Sequence, residues 1–127
     1  MVRIHHIALG AFDVPLMAQF YRDRFHLEEV NQHHDEEGSL RSIWLAAGGT
    51  VLMIEKIHTP PNHAPFMSAG PFLLAFQTTE EGKERARSDL RAQGIEIESE
   101  TDWTTYFRDP EGNRVALSHY PANNLPD

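Results

Sequence analysis

The sequence predicts an α+β fold built from two βαβββ modules. Its 127 residues suit one ordinary domain with a hydrophobic core. Apolar residues follow a strand period, then a helical spacing, then strand periods again, and the same order recurs in the second half. The segment His6–Leu9 aligns with Leu73–Phe76, and Gly49–Met53 aligns with Gly112–Ala116 at a slightly smaller offset. A repeated order of elements with a nearly constant offset indicates two similar modules.

The first module is expected at residues 1–57. Asp13 is a good N-cap, and Pro15 lies in the first turn, where proline is tolerated. The helical spacing of the apolar residues that follow predicts a helix over about 14–25. The strands are predicted at about 3–9, 27–34, 40–46 and 50–57, with glycines in the turns between the last three.

Residues 58–70 are rich in proline and predict a linker, because proline lacks a backbone donor and disfavours helix. An active-site loop is the alternative for this segment. The second module is expected at residues 71–127. The two modules together are expected to form one structural domain. Its helix is predicted to start at a capping box of Thr78 and Glu81 and to stop at Gly94. Its strands are predicted at about 72–77, 95–100, 103–108 and 113–119.

Composition and charge exclude several classes of function. The formal net charge is −8, which disfavours a nucleic-acid partner. The chain has no cysteine, which excludes disulfides and thiolate metal sites. No apolar run approaches the ~20 residues of a membrane span, and the amino-terminal residues do not resemble a signal peptide. We therefore expect a cytoplasmic protein with no membrane partner.

Three motifs make the sequence resemble the vicinal-oxygen-chelate superfamily, the glyoxalase, bleomycin-resistance and extradiol-dioxygenase group. They are the opening His6–Leu9, the Phe20-Tyr21 helix followed by Phe25–Glu28, and the hairpin Asp109–Val115. The resemblance covers nearly the whole chain. It implies curved sheets that enclose a cleft, and a homodimer. It also implies a divalent metal ion in the cleft, which chelates two oxygens of a substrate and acts as a Lewis acid.

The resemblance assigns potential metal ligands to the first and last strand of each module. His6 matches the first of these positions. The other three fall on Met53, Leu73 and Ala116. Methionine is a poor ligand for a hard divalent ion, and the other two side chains cannot coordinate. Only one usual ligand position is retained, so the site is expected to be degenerate.

Glu55 could compensate for part of this loss. It lies two residues after Met53 and therefore points to the same face of its strand, as Ser118 does relative to Ala116. A shift of two residues in register would place Glu55 in the cleft beside His6, as a metal ligand or general base. His58 and His63, at the proline-rich segment, could also reach the cleft, whereas His119 is expected to be structural.

The remaining pocket residues are mostly apolar or aromatic. Trp44 and Phe107 are separated by the same offset as Gly49 and Gly112, and they are expected to occupy equivalent places in the two modules. Together with Met53, Leu73, Ala116 and Ser118, these two residues are expected to line the cleft. A cleft with mostly apolar side chains favours a small organic ligand.

The favoured function is thus a glyoxalase-like protein with a degenerate metal site, which binds a small, partly apolar molecule between the modules. The alternative is a divalent-metal-dependent lyase, isomerase or dioxygenase that uses His6 and Glu55.

Overall fold

The computed structural model describes residues 2–60 and 67–120, and it has the predicted α+β fold. The chain divides into two units, Met1–Asn62 and His63–Asp127. Each unit contains one βαβββ module with a four-stranded sheet. In the part of the chain described, no helix is both long enough and apolar enough to cross a membrane.

The first unit consists of one helix packed on one face of its sheet. Its elements are β1 (His6–Ala11), α1 (Val14–Phe25), β2 (Glu28–His34), β3 (Leu40–Ala47) and β4 (Thr50–Lys56). The strand order is β1-β4-β3-β2, with β1 parallel to β4 and the other pairs antiparallel. The core lies between α1 and the sheet, where these side chains are buried: Met17, Tyr21, Ile43, Leu45, Leu52 and Ile54. We call the other face of each sheet its helix-free face.

The second unit repeats this plan. Its elements are β5 (Leu74–Gln77), α2 (Glu80–Ala92), β6 (Ile97–Glu100), β7 (Thr104–Arg108) and β8 (Arg114–Ser118). The strand order is β5-β8-β7-β6, with β5 parallel to β8. Its core is formed by side chains of α2, β7 and β8, and it includes Leu90, Phe107, Val115 and Leu117.

The helix ends agree with the sequence prediction at two positions and differ at one. Asp13 is the N-cap of α1, and its Oδ1 accepts a hydrogen bond from the Leu16 amide at 3.1 Å. Gly94 follows the C-cap of α2 with φ +72°, as expected for a helix stop. The N-cap of α2 is Thr79 instead of Thr78, and its hydroxyl accepts from the Gly82 amide.

The first strand of each module begins later than predicted, and β1 also ends two residues later, at Ala11. β1 begins at His6 and β5 at Leu74. Both strands pair only with the last strand of their own module, so they extend only as far as that partner runs beside them. Of the predicted linker 58–70, residues 61–66 lie outside the described residues, and they include His63.

The hairpin between β7 and β8 is organised by the buried carboxylate of Asp109. Its Oδ1 accepts from the amides of Glu111 and Asn113, both at 2.9 Å, and its Oδ2 accepts from the Asn113 side chain. Gly112 adopts φ +87°, which suits glycine. An exposed turn in the first unit has a similar arrangement, since Asp35 Oδ1 accepts from the amides of Glu37 and Ser39.

These two aspartates form a matched pair for a stability test. We expect Asp109→Ala to lower the free energy of unfolding by about 2 kcal/mol, because it leaves partly buried donors without an acceptor. Asp35→Ala should lower it by less than about 1 kcal/mol, because water replaces the lost acceptor at an exposed turn. Urea unfolding of both variants measures the difference. Equal losses would contradict the assigned role of burial.

Candidate functional site

The helix-free face of the first sheet carries the residues that the sequence analysis singled out. Strand pairing places β1, β3 and β4 residues side by side there, because paired residues point to the same face. His6 pairs with Val51, and Met53 lies between Ala8 and Trp44. These positions bring His6, Trp44 and Met53 to one region of the face.

Three ring side chains, those of His6, Trp44 and His33, lie together in this region. The ring centroids of His6 and Trp44 lie 6.4 Å apart, and the two planes differ by only 12°. His33 on β2 packs against the same indole, with a centroid distance of 4.8 Å to Trp44 and a tilt of 47°. The Nδ1 atoms of His5 and His6 are 2.9 Å apart. Trp44 Nε1 is buried and has no hydrogen-bond partner among the residues that the structure describes, so this face carries an unsatisfied donor.

Glu55 lies on the same face but far from His6 along the strands. It pairs with Gly10 and Ser42, whereas His6 pairs with Val51. Four residues along a strand correspond to roughly 13 Å. One metal ion held by both side chains would need their donor atoms within about 4 Å of each other. The Glu55 carboxylate instead accepts from Arg41 at 3.4 Å.

The donor set of the metal positions does not fit a divalent ion. His6 is the one side chain among the four that can coordinate. Met53 lies beside Ala8, and Ala116 lies at the corresponding place beside Ala75. Leu73 directly precedes β5 and is partly exposed. Within residues 2–60 and 67–120, no group of three or more histidine or carboxylate side chains could hold a metal ion.

The helix-free face of the second sheet differs from the prediction at one residue. Ala116 pairs with Tyr106, and Ser118 pairs with Thr104 through hydroxyls 2.8 Å apart. Phe107 pairs with Val115 on the helix side and is fully buried. The expected equivalence of Trp44 and Phe107 is therefore wrong. Trp44 and its partner Met53 are nine positions apart in the sequence, whereas Tyr106 and its partner Ala116 are ten apart. This difference of one residue reverses the face.

An arginine–glutamate cluster on this second face was missed by the sequence analysis. Glu98 accepts from Arg108 Nη2 at 3.0 Å and from Arg114 Nε at 3.3 Å. The Arg114 guanidinium is buried and lies 4.1 Å from the centroid of the Tyr106 ring. Ser99 also accepts from Arg114 at 3.4 Å. Glutamates alternate along β6 at Glu98 and Glu100, and Arg108 and Arg114 lie at the ends of β7 and β8 that meet at the hairpin. This pattern was the signal in the sequence.

Hydrogen bonding within this cluster shifts two pKa values. The hydrogen bond from Arg108 is the main cause that lowers the pKa of Glu98, and Arg114 adds to it, although burial acts in the opposite direction. The pKa of Arg108 is raised, chiefly by the same hydrogen bond. The cluster therefore stabilises the charged carboxylate and holds two guanidinium groups beside it.

Among the described residues, His58 and His119 lie away from the His6–Trp44 region of the first helix-free face. His58 is exposed just after β4. His119 packs against Trp103 with a centroid distance of 5.3 Å, and its buried Nε2 has no hydrogen-bond partner. Trp103 also contacts Tyr120. The expected structural role of His119 stays a prediction.

A family model described as Glyoxalase/Bleomycin resistance protein/Dioxygenase superfamily matches residues 3–117, which is most of the sequence. The chain belongs to this superfamily. The resemblance proposed from the three motifs is thus confirmed. No curated protein matches the sequence at a significant level.

Several solved structures share the fold of this chain, and their names differ. A glyoxalase family protein from Enterococcus faecalis is 26% identical, with a TM-score of 0.72, and the match covers 92% of this chain and 97% of that one. Lactoylglutathione lyase from Agrobacterium tumefaciens is 22% identical, with a TM-score of 0.70 and 97% coverage of both chains.

A fosfomycin resistance protein, FosX, from Listeria monocytogenes also shares the fold. A mutant of it is 20% identical, with a TM-score of 0.75, and the match covers 93% of this chain and 92% of that one. That structure holds Mn(II) and 1S,2S-dihydroxypropylphosphonic acid. At these identities the lyase and FosX show the fold alone.

The Glu98 cluster predicts a specific dependence of stability on pH. The pKa of Glu98 in the folded state lies below its ordinary value of 4.5. Its contribution is therefore present above that ordinary pKa and is lost as the pH falls through the lower folded-state pKa. We expect Glu98→Gln to lower the free energy of unfolding most at neutral pH, and the difference from wild type to shrink in acid.

Urea unfolding between neutral and acid pH measures this difference. Glu96→Gln is the matched control, since it removes a carboxylate two residues away on the same segment. We expect Glu96→Gln to follow the wild-type profile. A loss in Glu98→Gln that stays constant across the pH range would contradict the role of the ion pairs.

Proposed function

We propose that this protein binds a small, partly apolar molecule at the helix-free face of its first module, and that it does so without the metal ion of its superfamily. The observation that carries the proposal is the set of side chains at the four ligand positions. His6 is a donor, whereas Met53, Leu73 and Ala116 are apolar or soft. A single imidazole is too few ligands for a catalytic divalent ion, which typically has three protein ligands.

The chemistry of the face supports an organic ligand. Trp44, Val51 and Met53 contribute apolar and aromatic surface, and each is only partly buried. The polar groups around them include the rings of His6 and His33, the Asn31 side chain on the strand beside Trp44, and the buried Trp44 Nε1. A mostly apolar surface with a few placed polar groups is typical of small-molecule sites.

The alternative function is a metal-dependent lyase, isomerase or dioxygenase with His6 and Glu55 as ligands and Glu55 as base. It requires the two side chains to converge. The strand register separates them by four positions along β4. This is why the binding function is preferred, and the metal content of the protein distinguishes the two.

We expect wild-type protein to retain far less than one equivalent of metal per chain. The measurement is elemental analysis of untagged protein after incubation with Zn²⁺, Ni²⁺, Mn²⁺ or Fe²⁺ and desalting. A variant that combines Ala8→His and Met53→Glu places two added donors on the same face of the first module as His6. We expect this variant to retain markedly more metal than wild type, because three potential ligands then lie within one module.

One equivalent of metal in the wild type that is lost in both His6→Ala and Glu55→Ala would overturn the proposal and support the enzymatic alternative. Metal that persists in both variants would place the ion elsewhere. His33→Ala serves as the control for adventitious binding by a histidine of the same face.

We further propose that the protein forms the homodimer expected from the sequence. Support comes from β1, which lies at the edge of its sheet. Apolar side chains at this edge and on the adjacent helix are exposed, with Ile7 at 38%, Phe12 at 50% and Leu16 at 49%. Exposed apolar side chains clustered at a sheet edge are typical of an interface.

Light scattering after size-exclusion chromatography tests the dimer. We expect a mass twice that of the single chain, which is 14.5 kDa. Leu16→Lys should shift the population toward monomer, because a charge would be buried at the interface. Val30→Lys changes an exposed apolar residue on β2, at the opposite edge of the sheet, and should leave the mass unchanged. A monomeric wild type would contradict this proposal.

A further inference from the structure

The second unit contains an open cavity where α2 ends and β6 begins. Its volume is about 480 Å³, which falls within the roughly 300–1,000 Å³ of typical small-molecule sites. β6 is an edge strand, so a neighbouring strand covers only one side of it. We call this feature the α2–β6 cavity. It is lined by Arg91, Ile95, Glu96, Ile97, Ser99 and Glu100.

The chain reverses direction at this cavity through a hydrogen-bonded turn. Gly94 has φ +72°, and its amide donates to the Arg91 carbonyl at 3.1 Å. The Ile95 amide donates to the Leu90 carbonyl at 2.8 Å. Hydrogen bonds of this kind stop a helix and fix the direction of the residues that follow. The turn therefore holds the last turn of α2 and the start of the return segment beside the same cavity.

Two isoleucines form the apolar wall of the cavity. Ile97 pairs with Phe107, whose side chain is fully buried on the helix side of the sheet. Ile97 therefore points to the helix side as well, because paired residues point to the same face. Ile95 and Ile97 are each only partly buried. An aliphatic ligand would remove their remaining apolar surface from water, which is favourable.

Two opposite charges at the cavity have no partner among the described residues. The guanidinium of Arg91 and the carboxylate of Glu96 make no hydrogen bond or ion pair there, and they do not pair with each other. The other polar side chains of the cavity are engaged. Glu100 pairs with Arg87 at 2.8 Å, and the Ser99 hydroxyl accepts from an arginine of β8. Within the described part of the chain, the cavity thus offers one unpaired cation and one unpaired anion.

We propose that the α2–β6 cavity binds a free α-amino acid with an aliphatic side chain. Arg91 binds the carboxylate of this ligand, and Glu96 binds its ammonium group. The two isoleucines contact its side chain. A zwitterion satisfies both charged side chains at once, whereas an amine or a carboxylate alone satisfies only one of them. The inference does not depend on the proposed function, because every residue of this site belongs to the second unit.

The charge of the ligand is the property to vary first. Leucine, isoamylamine and isocaproate share a branched alkyl chain, but only leucine carries both charges. Nuclear magnetic resonance of the backbone amides of the full chain measures each affinity and locates the ligand. We expect leucine to bind about fivefold more tightly than either analogue, which is the factor for one ion pair at an exposed site. Glycine should bind more weakly than leucine, because it has no alkyl chain to bury.

Substitutions of the two charged side chains assign each ligand charge to its partner. Arg91→Gln should weaken the binding of leucine and isocaproate by about fivefold and leave isoamylamine unchanged. Glu96→Gln should weaken leucine and isoamylamine by a similar factor and leave isocaproate unchanged. Arg85→Gln is the matched control, since it removes an exposed cation of α2 outside the cavity, and it should bind all three compounds like wild type. Urea midpoints confirm that each variant is folded.

Each of three outcomes would overturn this inference. Equal affinity for leucine and its two analogues would exclude the zwitterion class. Leucine affinity that is unchanged in both Arg91→Gln and Glu96→Gln would place the ligand elsewhere. Absence of amide shifts at residues 91–100 up to the solubility limit of leucine would exclude the site. The metal content of the protein tests the proposed function separately, so the two can fail independently.

Discussion

The parallel pairing of the first and last strands of each module determines which side chains can act together. In the first unit, β1 and β4 are joined by a connection that contains a helix and two strands, and their register places Ala8 beside Met53. In the second unit, β5 and β8 repeat this pairing, with Ala75 beside Ala116. The resemblance assigns its metal ligands to positions on or next to these paired strands, and His6, Met53, Leu73 and Ala116 occupy them. A shared fold does not by itself imply a shared function.

The first helix-free face carries apolar and aromatic side chains next to the one imidazole that the resemblance assigns as a metal ligand. A divalent ion needs several charged or imidazole donors that converge. Here one imidazole stands parallel to an indole, and the nearest carboxylate on β4 is paired with Arg41. The buried Trp44 N–H without an acceptor would be unfavourable in a purely structural core. A bound ligand that carries an acceptor would satisfy this donor, which supports the proposed binding of an organic molecule at this face.

The sequence was sufficient to predict the order of elements, because apolar periodicity and helix caps such as Asp13 are local signals. It was also sufficient to identify the superfamily from three short motifs. It failed at Phe107, because the face of a strand residue depends on hairpin length, and one extra residue exchanges Phe107 and Tyr106. It also failed to find the Glu98 cluster, whose members are brought together by strand pairing across three strands.

The central claim is that the helix-free face of the first module binds a small organic molecule and that His6 holds no metal ion there. The most direct measurement is nuclear magnetic resonance of the His6 ring protons during addition of Zn²⁺. The account predicts no saturable shift of these protons. Saturation of the His6 signals at one equivalent of Zn²⁺ would contradict the account.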